Sequence, residues 1–287
     1  MAKTQNEREQ ILVRDIMVKD VAYVTVPGTR EDIMETFREK YISGVPVVKN
    51  GKVVGVVTRQ DLLRNPYEEQ TALLMTRDPS VISPNTTIVE AAKIIRSKGI
   101  RRLPVVEDGK LVGLVTVADF IREIATWDDD TPVGDYVRNK TMALWDETPL
   151  AIAGRLMELA KVKAVPVLNL AFDIAGLITD QDLINAAVIE EGVGRSDLSL
   201  GSDGDHWSLD GMRDTMKLYY SVSRIRLPDK LVKDVMVQGV VTATRNLGVS
   251  ACAQMMRDGR FDQLPVVSAR GKLIGMLIDR DLLRILL

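Results

Sequence analysis

A threonine followed three residues later by an aspartate recurs where an apolar run of this chain gives way to another aliphatic stretch. The complete pairs are Thr58 with Asp61, Thr116 with Asp119, and Thr179 with Asp182. A fourth copy keeps Asp281 but has Ile278 in place of the threonine. A carboxylate can accept hydrogen bonds from two neighbouring hydroxyl groups, such as those of a ribose. The N-terminus of a helix, assisted by a threonine hydroxyl, suits a phosphate.

The same spacing is also that of a capping box, in which the two side chains satisfy free backbone N–H groups without any ligand. A repeated unit would copy its cap as faithfully as its binding site, so the number of copies does not separate the two interpretations. The fourth copy favours binding slightly, because Asp281 remains where Ile278 has lost the capping hydroxyl. Both interpretations stay open at this point.

Each copy of the pattern ends a longer repeated stretch. An apolar run with a proline near its start is followed by a polar turn and by a second apolar run that contains one glycine. The prolines are Pro46, Pro104, Pro166 and Pro265, and the glycines are Gly55, Gly113, Gly176 and Gly275. The glycine precedes the aspartate by six residues in all four copies. Such internal repetition determines the architecture before any single element does.

One repeat predicts a strand, a helix, two strands and a second helix. In the first copy, residues 22–27 form a short extended segment, and residues 29–40 form a helix with Thr29 as its N-cap. The two apolar runs are strands, and the helix that follows contains Asp61 in its first turn. The fold class is therefore α/β (α+β), with four β-α-β-β-α repeats. The matching first helices of the second and fourth copies are predicted at about 87–98 and 248–256.

The interval between the last two prolines is about 37 residues longer than the interval before it, and the excess lies in residues 190–228. Glycine and aspartate are frequent at 190–196 and 201–205, which predicts loops. Residues 209–220 show a helical pattern with Met212, Met216 and Tyr219 on one face. We expect this insertion to pack outside the second half of the protein and to be more mobile than the sheets.

Composition excludes several classes of protein. The net charge of −2 argues against a general grip on nucleic acid, and no apolar run is long enough for a membrane span. The polar N-terminus shows no secretory signal, so we expect a cytoplasmic protein. Cys252 and His206 are the only residues of their types, which leaves little for metal binding or nucleophilic catalysis. We therefore expect neither an enzyme nor a metal site.

Taken together, these features make each repeat resemble the CBS domain, a small adenosyl-binding unit named after cystathionine β-synthase. In that family two repeats pair through their sheets into a pseudo-twofold Bateman module, and two modules form a disc with up to four clefts. A chain with four repeats is similar to the gamma subunits of AMP-activated protein kinase and to stand-alone archaeal proteins. The implied segments are an arm at 1–10, repeats at 11–68, 69–127, 128–189 and 229–287, and an insertion at 190–228.

The resemblance implies that the aspartates bind ribose, the threonines bind phosphate, and the starts of the proline-containing strands enclose adenine. Basic residues beside these strands would bind phosphates, because arginine grips phosphate oxygens in pairs. The implied ligand-binding residues are Ile42, Ser43, Gly44, Val45, Pro46, Thr58, Arg59, Asp61, Ile100, Arg101, Arg102, Pro104, Thr116, Asp119, Val162, Lys163, Ala164, Pro166, Thr179, Asp182, Phe261, Asp262, Pro265 and Asp281.

Charge separates the two halves of the chain. Arg59, Arg101 and Arg102 would favour phosphates in the first half, whereas Asp262 opposes Lys163 in the second half and would repel them. The sequence therefore predicts a regulatory protein that binds AMP, ADP or ATP and passes its occupancy to an unidentified protein partner. The alternative ligand is S-adenosylmethionine or a related adenosyl compound. No cofactor is required, a homodimer is compatible with the sequence, and an enzyme or a nucleic-acid regulator is less favoured.

Overall fold

The computed structural model describes residues 5–40, 42–65, 68–186, 188–196 and 218–287. The chain divides into two compact units. The first unit comprises Met1–Thr141, Val241–Arg270 and Ile274–Leu287, and the second comprises Met142–Val240 and Gly271–Leu273. In the described part of the chain, no helix is long and apolar enough to cross a membrane.

The first repeat follows a short N-terminal helix, α1 (Gln5–Gln10), and has the predicted order of elements. They are α2 (Val13–Ile16), β1 (Val24–Thr25), α3 (Arg30–Lys40), β2 (Gly44–Lys49), β3 (Lys52–Thr58) and α4 (Arg59–Arg64). Thr29 begins α3 as predicted, because its backbone N–H donates to Asp32 Oδ2 over 2.7 Å and its hydroxyl accepts from the Asp32 backbone N–H. The helix buries Ile33 and Phe37 on one face.

The elements of the second repeat are α5 (Thr71–Leu74), β4 (Thr76–Arg77), α6 (Ile88–Lys98), β5 (Arg102–Glu107), β6 (Lys110–Thr116) and α7 (Val117–Ile124). β4 precedes the position of the repeat's first strand, which is reduced to Ile82 in a parallel bridge with Val105. Thr87 caps the N-terminus of α6 by accepting a hydrogen bond from the backbone of Glu90. Gly99 ends the helix with φ of 66°, a conformation that glycine adopts without a steric cost.

The first two repeats share one six-stranded sheet with the order β1-β2-β3-β6-β5, in which β4 also pairs with β3. Strands β2 and β3 are antiparallel, as are β5 and β6, and β1 runs parallel to β2. The repeats meet where Lys52 of β3 pairs with Lys110 of β6. The predicted pairing of two repeats through their sheets is therefore confirmed for the first two copies.

The residues that precede each repeat's first strand lie on the sheet of the other repeat. Val18 forms a bridge with Leu114, and Thr76 pairs with Val56. This exchange explains the glycine of the motif. A Cβ at Gly113 would clash with the sulfur of Met17, just as a Cβ at Gly55 would clash with Met75. We call these exchanged segments lead-in segments.

Repeat four contributes most of its structure to the first unit. It contains β12 (Ala243–Thr244), α10 (Val249–Gly259), β13 (Gln263–Val267), β14 (Leu273–Ile278), α11 (Asp279–Leu282) and a 3₁₀ turn (Leu283–Leu286). Its helices share a hydrophobic core with α6 and α7 of repeat two. Phe120 and Trp127 from repeat two and Cys252 and Leu282 from repeat four are fully buried in this core.

The second unit is built around repeat three. Its elements are β7 (Leu144–Trp145), α8 (Leu150–Ala160), β8 (Ala164–Leu168), β9 (Ile174–Thr179), α9 (Asp180–Ala186) and a 3₁₀ turn (Val232–Asp234). Leu150, Met157 and Ile178 lie in its separate core. The lead-in segment of repeat four lies here, where Val237 bridges Leu177 and Met236 packs against Gly176.

The insertion contains two long strands, β10 (Val188–Ser196) and β11 (Leu218–Arg226), which pair antiparallel along their full length. The predicted loop at 190–196 is therefore wrong, and the predicted helix at 209–220 is wrong for its last three residues. Valine, isoleucine and tyrosine residues in these segments favour strands, and the pairing partner lies too far along the chain for local patterns to reveal it. Residues 197–217 lie outside the described residues, and the expected location and mobility of the insertion stay predictions.

Candidate ligand-binding clefts

The threonine–aspartate pairs are helix caps in all three complete copies. Oδ2 of Asp61 accepts hydrogen bonds from the backbone N–H of Thr58 over 2.8 Å and from its hydroxyl over 2.6 Å. Asp119 makes the same two bonds to Thr116, at 2.6 and 2.8 Å. Asp182 makes them to Thr179, at 2.8 and 2.7 Å. The capping interpretation is therefore correct for these residues, and a ligand could bind only to the carboxylate oxygen that the cap does not use.

The cap leaves one carboxylate oxygen at each site. Within the described residues, Oδ1 of Asp61 and Oδ1 of Asp182 have no hydrogen-bond donor. Oδ1 of Asp119 accepts from Arg122, a residue one turn further along α7 whose side chain is 56% exposed. Arg122 binds Asp119 through one nitrogen only. In each of the three complete copies, the cap thus leaves one carboxylate oxygen that it does not use itself.

A backbone hydrogen bond places each cap beside the start of its proline-containing strand. The residue after the threonine position donates its N–H to a carbonyl three residues before the proline. The pairs are Arg59 with Ser43, Val117 with Arg101, Asp180 with Lys163, and Asp279 with Asp262, at 2.8–3.0 Å. The same bond in four copies shows why threonine, aspartate and strand start form one corner in every repeat.

A cavity of about 650 Å³ lies in the first unit against the Asp119 corner. Thr116 and Asp119 come from repeat two, whereas Ile42 and Gly44 come from the strand start of repeat one. The lead-in segment of repeat one completes the apolar wall with Val18, Val21 and Ala22. Exchange of the lead-in segments is thus what brings predicted residues of two repeats together.

Repeat four also lines this cavity. Phe261, Asp262 and Asp279 lie on its wall together with Met256, Arg257 and Arg260. Phe261 and Asp262 were expected in the second half of the protein, but the packing of α10 against α7 carries the end of α10 to the cavity of repeats one and two. Lys40, Arg122, Arg257 and Arg260 were not predicted. Only Arg122 had a local signal, since it lies one helical turn after Asp119.

The two neighbouring arginines of repeat two face different partners, because successive residues of an extended chain point to opposite sides. Arg101 binds Asp279 with two nitrogens, at 2.6 and 3.2 Å, and lies 3.7 Å from Asp262. Burial alone would lower the pKa of Arg101, but these two carboxylates raise it. Burial raises the pKa of Asp279, although Arg101 opposes that change. The charge of Arg101 is therefore already neutralised by protein groups.

Arg102 lies at the corner of Asp61. Its Nη2 donates to the hydroxyl of Ser43 over 3.2 Å, and its guanidinium occupies the space that a Cβ at Gly44 would need. Burial and the neighbouring Arg101 lower the pKa of Arg102, while Asp61 raises it. Arg102 forms no salt bridge in the part of the chain that the structure describes. It is thus a partly buried cation without a bonded carboxylate.

The remaining predicted residues lie in or beside the strands and helices that form these corners. Val45 and the prolines at 46, 104, 166 and 265 are buried in their strands, and Arg59 is exposed on the first turn of α4. In the second unit, Ala164 pairs with Thr179 across β8 and β9, beside Val162 and Lys163. Ile100 is half-buried next to Arg101. In repeat four, both oxygens of Asp281 are bound by Arg138.

Four β-α-β-β-α repeats, each with an aspartate at its sheet-to-helix corner, define a tandem-repeat protein. The model of the CBS domain matches residues 13–68, 71–126, 133–189 and 232–287. The chain therefore belongs to the CBS domain family.

Two solved structures are similar over nearly the whole chain. An uncharacterised conserved protein from Pyrococcus horikoshii is 26% identical, with a TM-score of 0.69, and the match covers 96% of this chain and 100% of that one. A protein from Methanocaldococcus jannaschii, reported as a proposed archaeal homologue of γ-AMPK, gives a TM-score of 0.70 at 21% identity with the same coverage. The second likeness shows that the two proteins share the four-repeat fold.

Comparison of sequences finds relatives that match parts of this chain. The same Methanocaldococcus jannaschii protein is 27% identical over 191 residues, which are 60% of this chain and 68% of that protein. Inosine-5'-monophosphate dehydrogenase from Korarchaeum cryptofilum is 39% identical over 139 residues, or 45% of this chain. The match spans only 28% of that enzyme's length.

Proposed function

We propose that this protein is a regulatory sensor that binds an adenosine-containing ligand beside Asp119 and passes its occupancy to a protein partner. The observation that carries the proposal is the cavity of about 650 Å³, which is lined both by the apolar lead-in segment of repeat one and by Asp119. This volume lies in the range of small-molecule pockets, about 300–1,000 Å³.

The lining of the cavity assigns a role to each part of the ligand. Val18, Ala22 and Ile42 offer an apolar slot for adenine. Oδ1 of Asp119 accepts from a ribose hydroxyl, and Arg122, once displaced from that oxygen, is free to bind a phosphate. The cavity also contains Lys40 and Arg260, which are exposed cations.

Transmission follows from the walls of the cavity, which belong to repeats one, two and four. A ligand that contacts Asp119 and the end of α10 together has a different affinity for each arrangement of these elements, and that difference shifts their equilibrium. Because α7 and α10 share one hydrophobic core, such a shift reaches the surface of repeat four.

S-adenosylmethionine is the alternative ligand, and the charges that line the cavity are compatible with its binding. Five basic residues face the cavity, namely Lys40, Arg101, Arg122, Arg257 and Arg260. Four acidic residues face it too, namely Asp20, Asp119, Asp262 and Asp279. With Arg101 neutralised by Asp279, four basic and three acidic residues remain on the wall. Groups of both signs therefore face the cavity, which suits the sulfonium, ammonium and carboxylate groups of S-adenosylmethionine as well as a monophosphate.

The proposal includes no catalytic step and no required cofactor. Burial raises the pKa of Cys252 to about 12, so this thiol is not a nucleophile at neutral pH. Within the described residues, no cluster of histidine, cysteine or acidic side chains is arranged to hold a metal ion. The proposal is a binding role in the cytoplasm, exercised through a partner protein.

Titration calorimetry of the full chain with AMP, ADP, ATP and S-adenosylmethionine tests the proposal. Asp119→Asn should weaken binding of the preferred ligand about tenfold to a hundredfold, as expected for loss of a charged hydrogen bond of about 1.5–3 kcal/mol. Asp32→Asn is the matched control, because Asp32 caps α3 through Thr29 but does not line the cavity. No binding of any of the four compounds, or equal losses in both variants, would overturn the proposal.

A further inference from the structure

Repeat four differs from the others in what its aspartate binds. Arg138 donates from Nε to Oδ2 of Asp281 over 2.5 Å and from Nη2 to Oδ1 over 3.0 Å. Resting on the proposed function, we infer that Arg138 is a built-in substitute for the ribose and closes the repeat-four corner to adenosine ligands. The protein would then have one site fewer than it has motif aspartates.

The position of Arg138 is fixed by its backbone. Its N–H donates to the carbonyl of Met276 over 2.9 Å, and the N–H of Met276 donates back over 3.1 Å. Residues at the matching bridge of the other lead-in segments are Val18 opposite Leu114, Thr76 opposite Val56, and Val237 opposite Leu177. Arg138 is the only one of the four with a cationic side chain. Val18 lines the cavity at Asp119, so in repeat two the matched position faces the proposed ligand site.

The arginine takes over the task of the missing threonine. In the complete copies, the threonine N–H and hydroxyl satisfy the aspartate, but Ile278 has no hydroxyl to donate. The Asp281 side chain is only 15% exposed, and a carboxylate that is largely buried needs donors. The hydrogen bonds to Asp281 raise the pKa of the Arg138 guanidinium.

This pair has more hydrogen bonds than the one at the Asp119 corner, although the two arginines are similarly exposed, Arg138 at 46% and Arg122 at 56%. Arg122 contacts a single oxygen of Asp119 from the same helix, and Thr116 keeps the other. Arg138 engages both oxygens of Asp281 in the bidentate geometry that makes such pairs strong. A neutral ribose diol cannot replace two charge-assisted hydrogen bonds without leaving the guanidinium unpaired.

Equilibrium dialysis of the full chain with radiolabelled AMP, and separately with radiolabelled S-adenosylmethionine, counts the sites. Arg138→Val places at this position the residue found at 18 and 237, and it should add one bound ligand per chain. Adding Asp281→Asn to that variant should remove the new site. The reciprocal variant Val18→Arg puts a guanidinium opposite Asp119 and should remove one site from the wild-type number.

Each outcome decides between the claims. If the wild type binds a probe and Arg138→Val binds no more of it, Arg138 does not close the repeat-four corner, and the proposed function stands. If only Arg138→Val binds, the inference holds, and the cavity at Asp119 loses its proposed role. Absence of binding in both proteins rejects both claims. Should Arg138→Val fail to fold by circular dichroism, Arg138→Met keeps the long apolar stem and carries the same expectation.

Discussion

Repeats two and four share one core in the first unit, yet their binding corners differ. Asp119 is held by its own threonine and faces a cavity of about 650 Å³. Asp281 has lost that threonine and is bound on both oxygens by Arg138. The residue that opposes the carboxylate, rather than the motif itself, therefore decides whether a corner is open. A count of motif aspartates overestimates the number of sites.

The largest expected effect tests whether the two repeats form one cooperative core. Phe120 and Leu282 are both fully buried in it, one from each repeat. Phe120→Ala should cost about 3–5 kcal/mol and Leu282→Ala about 2–5 kcal/mol of unfolding free energy. Urea denaturation measures both, and Val81→Ala, at a side chain that is 42% exposed, should change stability by less than about 0.5 kcal/mol. Separate unfolding transitions for repeats two and four would contradict a shared core.

The shared core also changes how the two halves of the chain can be compared. The sequence predicts that a fragment of residues 1–127 binds nucleotides more tightly than the remainder. Cutting there would separate Phe120 from Leu282 and expose their core to water. Comparisons between corners are therefore better made with single substitutions in the full chain.

A smaller effect is expected at the Asp61 corner, where Arg102 is a cation without a bonded carboxylate among the described residues. Arg102→Ala should weaken ATP binding about tenfold, the effect of losing a charged hydrogen bond of about 1.5 kcal/mol. Adenosine binding should change less than twofold, and the difference should shrink as salt rises. Calorimetry decides this, with Arg96→Ala on the exposed side of α6 as control. Equal losses for ATP and adenosine would show that Arg102 does not face a phosphate.

Local patterns were sufficient to predict most of the fold. The constant spacing from glycine to aspartate predicted four repeats, and Thr29 and Thr87 correctly marked the starts of α3 and α6. The strands at Val188–Ser196 and Leu218–Arg226 were missed, because each depends on a partner more than 20 residues away. Strand pairing between distant segments leaves little trace in a single stretch of sequence.

The site could be predicted only in part, for a related reason. Thr29 and Asp32 have the same spacing as Thr116 and Asp119 and make the same kind of cap, but they do not line the cavity. The spacing of the two residues therefore identifies the cap. Whether a cavity lies beside the cap depends on which other segments pack around it. The contacts of Arg101 with Asp279 and of Arg138 with Asp281 join residues more than 140 positions apart, which no local motif predicts.

The smallest expected effect is on the free energy of unfolding when the residues at 116 and 278 are exchanged in type, so that repeat two loses a threonine and repeat four gains one. Thr116→Val removes a hydroxyl that donates to the buried Asp119 over 2.8 Å, and it should cost about 1 kcal/mol of unfolding free energy. Ile278→Thr restores the hydroxyl in repeat four, but Asp281 already has both oxygens bound by Arg138, so stability should change by less than about 0.5 kcal/mol. In an Arg138→Val background the carboxylate lacks its donors, and Ile278→Thr should then stabilise by about 1 kcal/mol. Thermal and urea unfolding of the wild type, Ile278→Thr, Arg138→Val and the double variant measure this coupling, and the same methods measure the cost of Thr116→Val. If Ile278→Thr stabilises equally with and without Arg138, the arginine does not replace the threonine, and the two corners differ for another reason.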